Sequence, residues 1–158
     1  MGVLGISVSS RMVGLAIMRN EELVDFHARL YKERWGNLKA NIIMANLRQC
    51  IKTHSITHIA LAVPYAHYQS KEAKALHTRI KTFCKEKSLT LCTYQATAFH
   101  QLHPQRKAKK KALMQSLAEQ YPELRYVYRR EANNKNRYYH KLFEAVASAL
   151  LCSRSLHN

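Results

Sequence analysis

The chain has 158 residues, enough for one domain with a buried core. Its 47% hydrophobic content excludes a disordered chain, and no apolar run reaches the roughly 18 residues that a bilayer span needs. Lys and Arg number 26 against 10 Asp and Glu, a net charge of +16, so polyanions are the expected partners. Nucleic acid leads, because each phosphate contact releases counterions; acidic membrane surfaces and acidic proteins are the competitors.

Gly2 to Val8 is short, small and apolar, which suits a central strand buried on both faces. Ser9, Ser10 and Arg11 read as a turn. Met12 to Met18 is a second strand, with Arg19, Asn20 and Glu21 as its hairpin turn. Leu23 to Leu30 alternates as an edge strand would. The three runs predict an antiparallel meander. No basic stretch leading into a long apolar segment is seen here, so a cytoplasmic protein without a signal peptide is expected.

A loop from Tyr31 to Asn37 carries the only tryptophan, Trp35. A helix follows to about His54, with Leu38, Ile42, Ala45 and Gln49 on one side. His58 to Val63 reads as a buried parallel strand that Pro64 ends. Glu72 to Lys87 has helical spacing, with Ala73, Leu76, Ile80, Phe83 and Cys84 inward. Leu89 to Tyr94 is a further strand. The strand–helix–strand order predicts parallel crossovers, hence a mixed five-stranded sheet flanked by helices in a single domain over 1–158.

Gln95 to Gln120 is helical in pattern and strongly basic at Arg106, Lys107, Lys109, Lys110 and Lys111. Cations at a helix start oppose the macrodipole, which points to an external anion; a plain solvated helix start is the alternative. A polar, basic loop is expected from Glu131 to Arg137. Arg129, Arg130, Lys135 and Arg137 form a second basic group, interleaved with Tyr126, Tyr128, Tyr138 and Tyr139, which either stack on bases or belong to the core. The last helix is expected from about Tyr138 to Ser153, with Tyr138, Leu142, Ala145, Ala149 and Cys152 in one stripe.

The four cysteines (Cys50, Cys84, Cys92 and Cys152) form no CxxC and read as buried thiols. Nine scattered histidines have no zinc-site spacing, so no metal is expected. Carboxylates are scarce: Asp25 is the only aspartate, and most of the nine glutamates are expected on exposed positions.

The arrangement resembles the RuvC-type Holliday-junction resolvases of the ribonuclease H-like superfamily. Val3 to Ser10 resembles the opening strand of that family, Ile59 to Tyr65 the fourth strand, Ala73 to Tyr94 the following helix and strand, and Lys107 to Leu117 its Lys-rich helix start. His140 to Leu150 resembles the closing helix. The resemblance implies a homodimer, and a two-metal phosphodiester site of about four carboxylates. Here those positions hold Ser7, then Ala62 or Val63 according to register, then Lys141 (or His140, one residue off) and Glu144. Only Glu144 is acidic. A hydroxyl and an alkyl group do not replace charged oxygens for hard cations, and a lysine repels them.

The expectation is a catalytically inactive, resolvase-like domain that binds nucleic acid, DNA above all, through the backbone and without a cofactor. Glu144 is expected to hydrogen-bond Ser7, Lys141 or a backbone amide. Two alternatives stand beside it: a Mg²⁺-dependent endonuclease with a relocated site built on Glu144 and His140, and a protein-interaction module or homodimeric adaptor.

Overall fold

The computed structural model describes residues 1–9, 11–65, 69–103, 109–132 and 139–157, without the side chains of Lys109 and Ala132. Strands β1 (Gly2–Val8), β2 (Met12–Arg19) and β3 (Glu22–Leu30) lead into helix α1 (Asn37–Thr53), strand β4 (Ile56–Ala62), helix α2 (Lys71–Glu86) and strand β5 (Thr90–Tyr94). A 3₁₀ segment, Ala96–Leu102, precedes α3 (Lys109–Gln120), a 3₁₀ turn at Pro122–Leu124, α4 (Arg125–Ala132) and α5 (His140–Ser155). Among the described residues no helix is long and apolar enough to cross a membrane.

The strands form one mixed sheet in the order β3-β2-β1-β4-β5. β1 pairs antiparallel with β2 and parallel with β4, and β4 pairs parallel with β5. The meander and the two parallel strands are those expected from the sequence. β1 is buried along its whole length, whereas β3 is largely open to solvent, as centre and edge require.

Side chains on a strand alternate between faces. Leu4, Ile6, Val13, Leu15, Ile17, Ile59 and Leu61 therefore face one way and pack with Ile43, Met44 and Leu47 of α1 and Leu76 and Ile80 of α2. Val3, Ala16, Met18, Ala60 and Ala62 face the other way, against α3 and α5. Phe143, Val146 and Leu150 of α5 are fully buried in that second layer.

Several local expectations need correction. The buried stripe of α1 is Ala40, Ile43, Met44 and Leu47, not the one through Leu38, which is 72% exposed. The helix is turned because Lys39 is buried: its ammonium donates to the carbonyls of Tyr31 (3.0 Å) and Glu33 (3.1 Å), so its alkyl stem lies inside. The stretch from Gln95 to Gln120 is no single helix but a 3₁₀ segment and a separate α3. Glu131 belongs to α4 rather than to a loop, and it is buried, with its Oε2 accepting from the Tyr139 amide at 3.0 Å. Two of the four thiols, Cys50 and Cys92, are half-buried rather than buried.

The hairpin between β2 and β3 turns through Asn20 and Glu21, both at positive φ (50° and 63°). That pair of left-handed residues is the tight turn that matches strand twist. Glutamate seldom sits there, and three contacts hold it. The Glu21 amide donates to Ser153 Oγ, its carbonyl accepts from the Tyr121 hydroxyl, and its carboxylate pairs with Arg154 at 3.0 Å.

Helix α5 lies directly on strand backbone. A Cβ at Gly5 would stand 2.0 Å from the Ala145 carbonyl oxygen, and one at Gly14 would stand 2.4 Å from that of Lys141. Neither obstacle is a flexible side chain, so relief requires moving the helix. Gly5→Ala and Gly14→Ala should each cost ~3 kcal/mol or more, since overpacking against backbone lies at the costly end of its range. Denaturant midpoints check this; a loss below ~1 kcal/mol at both positions would show that α5 does not sit this close.

His77 of α2 is buried, and its Nε2 has no hydrogen-bond partner among the described residues. Burial first, then the Lys81 and Lys141 ammoniums, lower its pKa to about 4. The unfolded imidazole titrates near 6.5, so between these values the unfolded chain binds the extra proton. The stability is fully present above about pH 6.5 and is lost as pH falls towards about 4. Denaturation at about pH 7.5 and about pH 5 should differ by ~2 kcal/mol from this group, and His77→Leu should remove that difference.

Candidate functional site

The docking of α5 on β1 and β2 sets the site. Ser7 lies two residues beyond Gly5 on the same face, and it pairs across the ladder with Gly14. Lys141 lies over Gly14. Glu144 precedes Ala145, the residue over Gly5. The C-terminal end of β1 and the first turns of α5 therefore meet, although 137 residues separate Ser7 from Glu144.

One carboxylate oxygen gathers the polar groups. The Ser7 hydroxyl donates to Glu144 Oε1 at 3.2 Å, the Lys141 ammonium lies 2.9 Å from the same atom, and His140 Nε2 lies 3.8 Å away. Ser7 is buried and Glu144 nearly so. Lys141 and Glu144 keep 24% and 17% of their side-chain surface exposed, so removing one partner leaves a partly buried charge without its counterion.

Parallel pairing settles the strand-four register. Ala62 is the Cα partner of Ser7 and packs in the α5 layer with it. Val63 lies beyond the strand and packs with the α1–α2 layer. Thus Ala62, not Val63, is the position facing Ser7 and Glu144.

A groove of about 620 Å³ opens above these residues, at the C-terminal ends of β1 and β4. His140, Lys141 and Glu144 line it, with Lys110 from the start of α3 and Tyr65 and Tyr94 opposite. Of the basic run on α3, Lys110 and Lys111 are exposed, while Arg106, Lys107 and the Lys109 side chain lie outside the described residues. Arg129 and Arg130 are exposed on α4 and do not line the groove. The Arg130 guanidinium lies over Tyr126 (5.6 Å) and Tyr139 (5.9 Å), and Tyr126 is 68% exposed, so it is no core residue. Lys135, Arg137 and Tyr138 fall outside the described residues.

Other cations beside the groove escaped the sequence reading. Arg11, Lys32 and Arg34 are exposed, and they border a second cavity that adjoins the groove at Lys110 and Lys141. In the sequence Lys32 and Arg34 adjoin Trp35, whereas Arg11 stands in an earlier turn with nothing to connect it to them. Asp25 also draws in His27 (3.1 Å) and His54 (3.8 Å) on the far side of the sheet, an association their spacing does not reveal.

Two divalent cations, which the family resemblance implies, need converging carboxylates. The residues present do not fit. Glu144 faces a lysine, a hydroxyl and an imidazole, and Ala62 adds a methyl group. Among the described residues no group of three or more His, Cys, Asp or Glu is placed to hold a metal ion. Nucleophilic chemistry by three of the thiols is disfavoured too: burial pushes Cys50 and Cys84 up to about 11 and Cys152 to about 12.

No protein-family model matches the chain, and no curated protein sequence matches it. Solved structures do match. RuvC of Thermus thermophilus in complex with a Holliday junction substrate aligns over 100% of this chain and 96% of that one, at a TM-score of 0.74 and 14% identity. A second Thermus thermophilus RuvC structure aligns over 99% of this chain and 96% of that one, at 0.73 and 14%. The Fowlpox virus resolvase, also in complex with Holliday junction DNA, covers both chains fully at 0.62 and 14% identity. Identity this low speaks to architecture alone: the chain has a RuvC-like resolvase fold of the ribonuclease H-like kind.

Proposed function

We propose that this protein binds nucleic acid, with DNA the expected partner, as a resolvase-like domain that no longer performs two-metal cleavage. The observation that carries the reading is the Lys141 ammonium 2.9 Å from the one carboxylate of the site. Where a nuclease of this architecture would concentrate negative charge to hold cations, this chain presents a cation of its own. The surrounding groove continues that sign through Lys110, and the whole chain carries +16. Such a surface attracts a phosphate backbone directly, without a bridging metal.

Two of the three structures reported above are complexes with Holliday junction DNA, which supports a four-way junction as the first ligand to test. A cytoplasmic homodimer belongs to the same proposal. Four free thiols agree with a reducing compartment.

Gel-shift titrations on four-way junction, duplex and single-stranded DNA test this, with and without Mg²⁺ or Mn²⁺. Binding should fall about a thousandfold between ~50 and ~200 mM salt, as for a protein making several phosphate contacts. Lys110→Ala should reduce the log–log salt slope by about 1. No substrate should be cut with either metal. Metal-dependent cleavage abolished by Glu144→Gln would establish a relocated nuclease site instead. Absence of nucleic-acid affinity at physiological salt would favour a protein-interaction module.

A further inference from the structure

A second cavity, of about 950 Å³, adjoins the groove and shares Ser9, Lys110, His140 and Lys141 with it. Its outer wall is the segment after β3, which carries Trp35, the only tryptophan in the chain. Tyr31 is buried at its base, and Met12 and Leu30 add apolar surface. Six cations line it against two carboxylates, Glu33 and Glu72.

The wall is braced. Lys39 is 3% exposed, and its ammonium bonds the backbone carbonyls of both Tyr31 and Glu33 while standing 5.9 Å from the Trp35 ring centroid. A lysine that spends its charge on two carbonyls inside the fold holds the segment in one shape. The tyrosine under it is fastened as well, with its hydroxyl accepting from Asn46 Nδ2 at 2.8 Å. Trp35 is thereby presented as a half-buried ring facing a space wide enough for a planar heterocycle, with the exposed Arg11, Lys32 and Arg34 around it.

An indole beside several exposed cations has the chemistry of a base-stacking subsite: the ring takes a base face and the cations take the flanking phosphates. A duplex keeps its bases stacked and offers nothing to such a cavity, whereas a single strand, or the exchange point of a branch where stacking is interrupted, does. We propose that this cavity receives one unstacked nucleobase on Trp35, with its adjoining phosphate held by Arg11, Lys32 or Arg34. The inference rests on the nucleic-acid reading above and adds the form of nucleic acid: bases free of their stack.

Trp35 fluorescence reports on this in the unaltered protein, since no other tryptophan contributes. Titration with a four-way junction or a single-stranded oligonucleotide should quench and shift the emission, and blunt duplex should do so far less at equal occupancy. Trp35→Ala should weaken junction and single-strand binding about tenfold and leave duplex binding within about twofold, while Trp35→Phe recovers most of the loss. Stacking releases no counterions, so Trp35→Ala should lower affinity at every salt concentration without changing the salt slope, unlike Lys110→Ala. Nucleic-acid binding with unaltered Trp35 emission, or with equal loss on duplex and single strand, would overturn this inference and leave the binding reading standing. No affinity for any nucleic acid would overturn both. Should Trp35→Ala fail to fold, the emission experiment on the unaltered chain decides alone.

Discussion

Two bare stretches of strand backbone hold this molecule together. Gly5 of β1 and Gly14 of β2 let α5 settle so low on the sheet that its carbonyls occupy the space of a side chain. The helix repeats the device from its own side with Ala145 and Ala149, small residues that are fully buried. Packing this close fixes the helix against rotation as well as translation, because a ridge of methyl groups fits only one way over two glycines. Every polar feature of the site inherits its position from that fit. Ser7 and Glu144 touch because Gly5 and Ala145 do.

The electrostatics follow from which residues occupy those inherited positions. Lys141 lies in the first turn of α5, where the macrodipole favours acids, so it raises the local positive potential rather than cancels it. Two carboxylates offset this, each by contact: Glu131 through the Tyr139 amide and Glu144 through Lys141. The balance still favours positive charge over the groove, with Lys110 approaching from α3.

The sheet was legible because each of its strands obeys a simple rule. β1 reads as wholly apolar because both its faces are covered, and β3 alternates because it lies at an edge. The partners of Glu144, Ser7 and Lys141, were likewise readable, once the opening strand and closing helix were placed side by side. Helix α1 was misread because Lys39 looks like a surface residue; the carbonyls that hold its ammonium lie on a preceding loop, which no periodicity reports. The choice between Ala62 and Val63 required the ladder itself, since one residue of register exchanges the faces of a strand. The cationic cavity escaped because Arg11 and Arg34 come together only after the chain has crossed the sheet edge and returned.

The turn at Asn20 and Glu21 carries one more consequence. Its left-handed glutamate is held by Ser153 and Arg154, more than 130 residues further along the chain, and by Tyr121. A β-hairpin ordinarily closes in microseconds on local information alone. This one has a conformationally awkward residue at its tip, and the groups that clamp it come from distant sequence, so local information alone does not fix its final geometry. The tip of the first hairpin is thus tied to the docking of α5, a non-local contact of the kind that is made at a high cost in loop closure.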